Sequence, residues 1–418
     1  MYGRLRWDLM AGRKREVGKV PWLTSAEASS RLGVHRATLY AYVSRSLIRS
    51  SHSPDDPRAR RYSSEDVEAM RRRGEQRRDP GKIAARALHW GMPLLESSIT
   101  LIDGSFLYYR GWSVEDLARN RSVEQVAALI WTGGFDTAVF ATTPLHVVSG
   151  TRTTDPLPFC NRAQAMLPIV AARDPLAFDL RPRAVAQTGW RILNLLASIS
   201  VASSRLELTI EDTLRQSWSP RNPHAAPLLR AALILCADHE LNVSAFVSRC
   251  VASAGSNPYS CVVAGISAIE GAKHGGITER VATMLDAHRK STRPQHDLAD
   301  RLRRGEPIHG FGHPLYPNGD PRARLLLAML EESLPKSPEV RFAGAFSAAA
   351  EELTGDLPTI DFALVVMARA LKLERGTPLT IFTIGRSIGW IGHAIEQYAL
   401  DESIRPRATY VGPEARSE

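Results

Sequence analysis

GFGHPLYPNGDPRARLLL, residues 310–327, is the stretch whose reading decides the fold of this 418-residue chain. His313 stands between Gly312 and Pro314, Asp320-Pro321-Arg322 follows, and the chain then runs into an apolar, helix-like tail. Alone, such an island is an exposed turn that contains a histidine. Four more polar islands lie in the same half of the chain: His239 in CADHELNVSAF, His274 in EGAKHGGITERV, Asp361 as the only acid in LPTIDFALVVMARA, and Arg386 in the Gly-punctuated run FTIGRSIGWIGHAIEQYA. Each has a plain structural explanation when taken singly: a satisfied core histidine, an acid capping a helix, an arginine paired with a nearby carboxylate.

In order, the islands read D-H-E, G-x-x-H-G-G, G-F-G-H with D-P-R, P-x-x-D, I-G-R-x-I-G-W-I-x-H, and finally R-P-R in SIRPRATYVGP. This succession resembles the citrate synthase family from about residue 98 to Pro413. The resemblance implies a mainly α-helical catalytic domain over residues 81–418. Its large and small helical subdomains, the small one at about 260–365, would close on substrate. It also implies condensation of acetyl-CoA with oxaloacetate to citrate and CoA, the entry reaction of the tricarboxylic acid cycle, or formation of 2-methylcitrate where propionyl-CoA is accepted. Removing a weakly acidic proton beside a thioester carbonyl needs a base at carbon and a fixed donor at oxygen. By motif, Asp361 is the base, His274 the donor to the thioester carbonyl, and His313 the donor to the ketone oxygen of oxaloacetate. Neutral imidazoles suit that work, because they donate without lowering the basicity of the carboxylate. The two carboxylates of oxaloacetate fall to Arg322 and Arg386, whose planar forks suit bidentate hydrogen bonds, with His239 assisting. Arg405, preferred over Arg407 in the same R-P-R, would come from the second subunit of a homodimer with shared sites. No bound cofactor is implied, acetyl-CoA being a co-substrate. Pro314 and Pro317 stand where many relatives carry basic residues that meet CoA phosphates, Lys273 being a basic residue nearby, and Thr278 stands where Asn is common.

Composition fits a globular body. Hydrophobic residues make up 44% and charged residues 23%, and no uninterrupted apolar run reaches the ~18 residues of a membrane span. Residues 1–20 are basic without the apolar core of a secretory signal and read as a flexible lead-in. Cys160, Cys236, Cys250 and Cys261 have neither disulfide-like nor metal-binding spacing, which suits packing roles in a reducing cytoplasm. His309 and His313 sit in a Gly/Pro loop with no accompanying cysteine, so no metal site is expected. In SSITLIDGSFLYYRGW an Asp103-Gly104 turn predicts a β-hairpin with Ile99, Leu101, Phe106 and Tyr108 alternating about it. Beyond it, capped helical segments beginning at Ser113 and Ser122 set a pattern that recurs to the end, interrupted by a loop within 136–160.

Of the formal charge of +9, residues 1–80 carry 18 basic against 10 acidic side chains, and the remainder 35 against 34. A basic head on a near-neutral body points to nucleic acid. Residues 21–80 resemble the winged helix-turn-helix domain of MerR-like regulators. Thr24 and Glu27 form a capping box, Gly33 ends the first helix, and a second helix from about His35 carries Leu39, Val43 and Leu47 as its apolar stripe against Ala28 and Leu32. Arg36, Thr38 and Tyr42 on its outer face, with Arg60 and Arg61 after a Pro/Asp-rich wing, are the expected contacts to double-stranded DNA. Such a face also serves for protein contacts. A linker is expected at Asp79-Pro80-Gly81. If the catalytic residues are idle, the whole chain becomes a regulator that senses citrate, oxaloacetate or acyl-CoA; retention of Asp361, for which a sensor has no use, favours the enzyme.

Overall fold

The computed structural model describes residues 22–34, 36–44, 47–52, 60–64, 66–67, 95–140, 157–201, 209–289, 291, 293–408 and 410–413. Two compact units divide the chain, Met1–Glu96 and Ser97–Glu418. The lead-in, His35, the tip of the wing, the linker at 79–81 and most of the 136–160 loop lie outside the described residues, as do the side chains of Arg36, Ala37, Ala41 and Ser44.

In the first unit, strand β1 (Trp22–Thr24) leads into helix Ser25–Leu32. Thr24 Oγ1 accepts from the Glu27 amide while the Glu27 carboxylate accepts from the Thr24 amide, and Gly33 closes the helix at φ 63°. Helix Arg36–Ser44 follows. Strands β2 (Ser50–His52) and β3 (Arg60–Ser63) complete an antiparallel sheet in the order β1-β3-β2. Leu23, Ala28, Leu39, Ile48, Tyr62 and Val67 form a small core of their own. Two expectations fail here. Leu47 lies beyond the second helix and is exposed, and Ile48 takes the core position instead. Tyr42, expected on the outer face, is partly buried with its ring packed on this core.

In the second unit, β4 (Thr100–Asp103), β5 (Phe106–Tyr109) and the short β6 (Trp112–Ser113) make an antiparallel meander. Asp103 pairs with Phe106, so the turn residues are Gly104 and Ser105 rather than Asp103 and Gly104. Leu107 and Tyr109 of β5 join Ile99 in the core, while Leu101 and Phe106 are left exposed. The rest of the unit is helical. Ser122 and Gln125 form the expected capping box on Val123–Thr132, whereas Ser113 makes no side-chain cap on Val114–Asn120. None of the helices among the described residues is long and apolar enough to cross a membrane.

At the centre lies the helix Thr377–Leu400, its residues buried almost continuously from Thr377 to Ile395. Its glycines let it touch the end of helix Ala225–Leu235 backbone to backbone: a Cβ on Gly385 would come 2.5 Å from Leu233 O, and one on Gly389 would come 2.4 Å from Ala237 O. Only glycine tolerates that approach.

Candidate active site

The polar islands lie on separate segments, each held by its own local chemistry. Helix Pro321–Ser333 is capped by Asp320, whose carboxylate accepts from the Arg322 amide, and Pro321 occupies a first-turn position that needs no donor. The same carboxylate takes Arg322 Nε at 2.9 Å and Nη2 at 2.8 Å, and then the Ile360 amide at 3.0 Å. Asp320 thus ties the D-P-R arginine to the first turn of helix Ile360–Ala370, which bears Asp361. Burial opposes charge on Asp320, yet Arg322 beside it and the two amides keep its carboxyl below the ordinary value. The loop before it is stitched to the same helix start: Gly312 N donates to Leu357 O, Thr359 N donates to Gly310 O, and Phe311 bridges Pro358. Gly310 and Gly312 make this possible at φ 84° and 75°, a region L side chains avoid.

His313 leaves this loop with its ring 5.3 Å from that of His239 and 5.0 Å from Tyr316. The Leu315 amide donates to His313 Nδ1 at 3.2 Å, so the neutral ring carries its hydrogen on Nε2. Burial, then the charge of Arg322, hold His313 down to about 4. His239 is buried, its Nε2 is 2.8 Å from the Tyr316 hydroxyl, and burial followed by the Arg322 and Arg386 charges keeps it well below its ordinary value. His274 follows helix Pro258–Ile269 and packs edge-on against Phe382. Burial, then Arg386 and Arg322, bring it to about 3. Its Nε2 lies 2.8 Å from Ser244 Oγ, which is also 2.7 Å from Asn242 Oδ1. A hydroxyl has one proton to give. Here Ser244 Oγ donates it to Asn242 Oδ1; turned instead to His274 Nε2, it would leave the imidazole proton on Nδ1 for a ligand, while Asn242 Oδ1 keeps the amides of Ser244 and Ala245.

Asp361 is partly buried. Its Oδ2 receives only Thr359 Oγ1 at 3.3 Å, and its Oδ1 has no partner. Burial pushes its carboxyl up to about 6, although Arg322 pulls the other way. Arg386, buried among the residues of the long helix, donates Nε to Cys236 O at 2.7 Å and stacks on Phe382, and its Nη2 has no partner. The site therefore contains three histidines held neutral, a carboxylate with a free oxygen and raised proton affinity, and a guanidinium with an open edge.

Several expectations are sharpened. Two nitrogens of Arg322 are bound to Asp320, so its fork is engaged and does not stand open for a substrate carboxylate. Thr278 turns its hydroxyl onto Gly275 O, closing the turn before helix Ile277–His288. Arg405 is exposed on the segment beyond the long helix. In the first unit, Thr38 and Arg60 are exposed and Arg61 is half-buried on β3. Asp320, Tyr316, Ser244 and Asp238 are polar residues that motif reading left without a role; of these, only Asp320 carried a local signal, an acid followed by Pro at a helix start.

Residues 87–143 and 184–407 match the family described as citrate synthase, C-terminal domain. The chain belongs to the citrate synthase family. Residues 22–75 match a helix-turn-helix domain. A citrate synthase from Haloferax volcanii is 30% identical over 361 residues, covering 77% of this chain and 94% of that one. A 2-methylcitrate synthase from Mycobacterium tuberculosis is 28% identical over 349 residues, covering 74% and 86%. The crystal structure of citrate synthase from Thermotoga maritima superposes with a TM-score of 0.67 at 27% identity, covering 78% of this chain and 96% of its own. In this citrate synthase domain, as the sequence predicts, the body is mainly helical and follows a short hairpin, and a helix-turn-helix domain precedes it.

Proposed function

We propose that the chain is a working synthase that condenses acetyl-CoA with oxaloacetate and releases citrate and CoA. The observation that carries this reading is Asp361: a carboxylate with an unpartnered buried oxygen and a proton affinity raised to about 6 suits a base and has no structural task. Asp361 takes a proton from the carbon next to the thioester, and His274 donates to the carbonyl oxygen as enolate charge develops. The enolate carbon bonds to the ketone carbon of oxaloacetate, and His313 Nε2 supplies the proton that the new alkoxide takes up. Water then cleaves the thioester, giving citrate and the CoA thiol. Arg386 holds one substrate carboxylate through its open edge, Arg322 contributes its charge and remaining nitrogen, and His239 assists. Arg405 completes the site of the second subunit in a homodimer. Lys273, exposed beside His274, is a basic residue available to the CoA end despite Pro314 and Pro317.

Relatives bear the names of both citrate and 2-methylcitrate synthases, so propionyl-CoA is the second acyl donor to test. The helix-turn-helix unit supports a second role, binding of double-stranded DNA through Thr38, Arg60, Arg61 and Arg36. Release of free CoA thiol, followed with acetyl-CoA and propionyl-CoA side by side in the presence of oxaloacetate, tests the catalytic reading. Turnover lost in Asp361→Asn with oxaloacetate binding intact supports it. A folded dimer that binds oxaloacetate and releases no thiol from either donor would leave a sensor.

A further inference from the structure

The long helix grips the segment before His239 at three successive points. Arg386 Nε binds Cys236 O at 2.7 Å, Gly389 N donates to Ala237 O at 2.9 Å, and His393 Nε2 lies 3.2 Å from Asp238 Oδ1. Asp238 and His393 are both fully buried. Thr100 Oγ1 of β4 donates to the other Asp238 oxygen at 2.5 Å, and the Asp238 amide and carbonyl meet the hydroxyl of Tyr109 at 3.1 Å and 3.0 Å. The carboxylate rests directly on Gly389, where a Cβ would lie 2.4 Å from its Oδ1. Both carboxylate oxygens are thus occupied by groups other than Arg386. Arg386 has no ion-pair partner among the described residues and keeps an unbonded Nη2, although Asp238 is close enough for each to act on the other's charge. A buried guanidinium beside a carboxylate gains a charge-assisted, often bidentate, pair where the two can meet.

We propose that His393 and Thr100 are positioning residues that tether Asp238 away from Arg386, so that the neighbouring carboxylate offsets the buried arginine's charge without occupying the edge that a dicarboxylate substrate must take. The inference rests on the reading of Arg386 as a substrate clamp. With the tether cut, Asp238 swings onto Arg386 and competes with substrate. His393→Leu and Thr100→Val each weaken oxaloacetate binding, measured by calorimetry on the full chain, by roughly tenfold or more, a change of about 1.4 kcal/mol. KM for acyl-CoA stays within about twofold, and His393→Gln, which keeps a donor at the Nε2 position, restores most of the affinity. Adding Asp238→Asn to His393→Leu also recovers affinity, since the competing charge is gone; structural damage would instead be compounded. Unchanged oxaloacetate affinity in a folded Thr100→Val or His393→Leu, or a double variant weaker than the single, overturns the proposal. Arg386→Gln separates the two readings: if it leaves oxaloacetate binding intact, the clamp itself is wrong, whereas lost binding there with no effect of the tether variants sinks the tether alone.

Discussion

Replacing Asp361 with asparagine should make the protein more stable while stopping it from working. Burial lifts the Asp361 carboxyl from 3.8 to about 6. At about 1.4 kcal/mol per tenfold change in proton affinity, holding it ionised in the folded state costs about 3 kcal/mol. Its folded pKa lies above its unfolded one. Below about pH 4 both states are protonated and the cost is absent; between about 4 and 6 the unfolded chain gives up the proton first, so stability falls as pH rises; above about 6 the cost is complete. The variant carries no such charge. Relative to the parent it should gain nothing at the acid end and about 3 kcal/mol at pH 8, a rise in melting temperature of about 4 °C for a unit the size of Ser97–Glu418. Scanning calorimetry of both proteins from about pH 3.5 to 8 measures the gap, with thiol release recording a loss of about two to four orders of magnitude in turnover. A gap independent of pH, or an asparagine variant less stable than the parent at pH 8, would refute the assignment of Asp361 as a buried base.

Three other outcomes follow from the same geometry. The pH profile of kcat/KM should rise through an apparent pKa near 6 set by Asp361, with no further limb from His274 or His313, which are already neutral above about pH 5; substituting either histidine lowers the rate without moving the limb. Asp320→Ala leaves the buried Arg322 without its partner and should destabilise the catalytic unit by about 3–5 kcal/mol in denaturant titration, while Asp320→Asn, which keeps one acceptor, costs less. For the helix-turn-helix unit, affinity for duplex DNA should drop steeply between low and physiological salt, and Arg60→Ala should reduce the salt slope by about one; binding indifferent to salt would point to a protein partner.

What could be seen in the sequence was whatever depends on near neighbours in the chain. The capping boxes of Thr24 with Glu27 and Ser122 with Gln125 are three-residue devices and formed as spaced. The hairpin was legible, but its faces were not. The strands turn at Gly104-Ser105, and Leu107 and Tyr109 enter the core rather than Phe106 and Tyr108, because which face of a hairpin is covered depends on elements far away in the chain. Tyr42 had the helical position of a surface donor, but its ring packs against the small core of the first unit. Among the site residues, the motif histidines, Asp361 and Arg386 come together, whereas the engagement of Arg322 by Asp320 depends on which nitrogens face the cap. The pairing of Asp238 with His393 spans 155 positions and left no local trace.

The threefold grip of the long helix on residues 236–238 also fixes a length. Arg386, Gly389 and His393 face the same way only because their separations of three and four residues match the helical turn. One inserted or deleted residue between them would rotate everything beyond it by about 100°, and would turn His393 away from Asp238 however well the rest of the helix packed. A change in residue number within 386–393 cannot be absorbed by repacking, and no compensating change in a neighbouring loop would repair it.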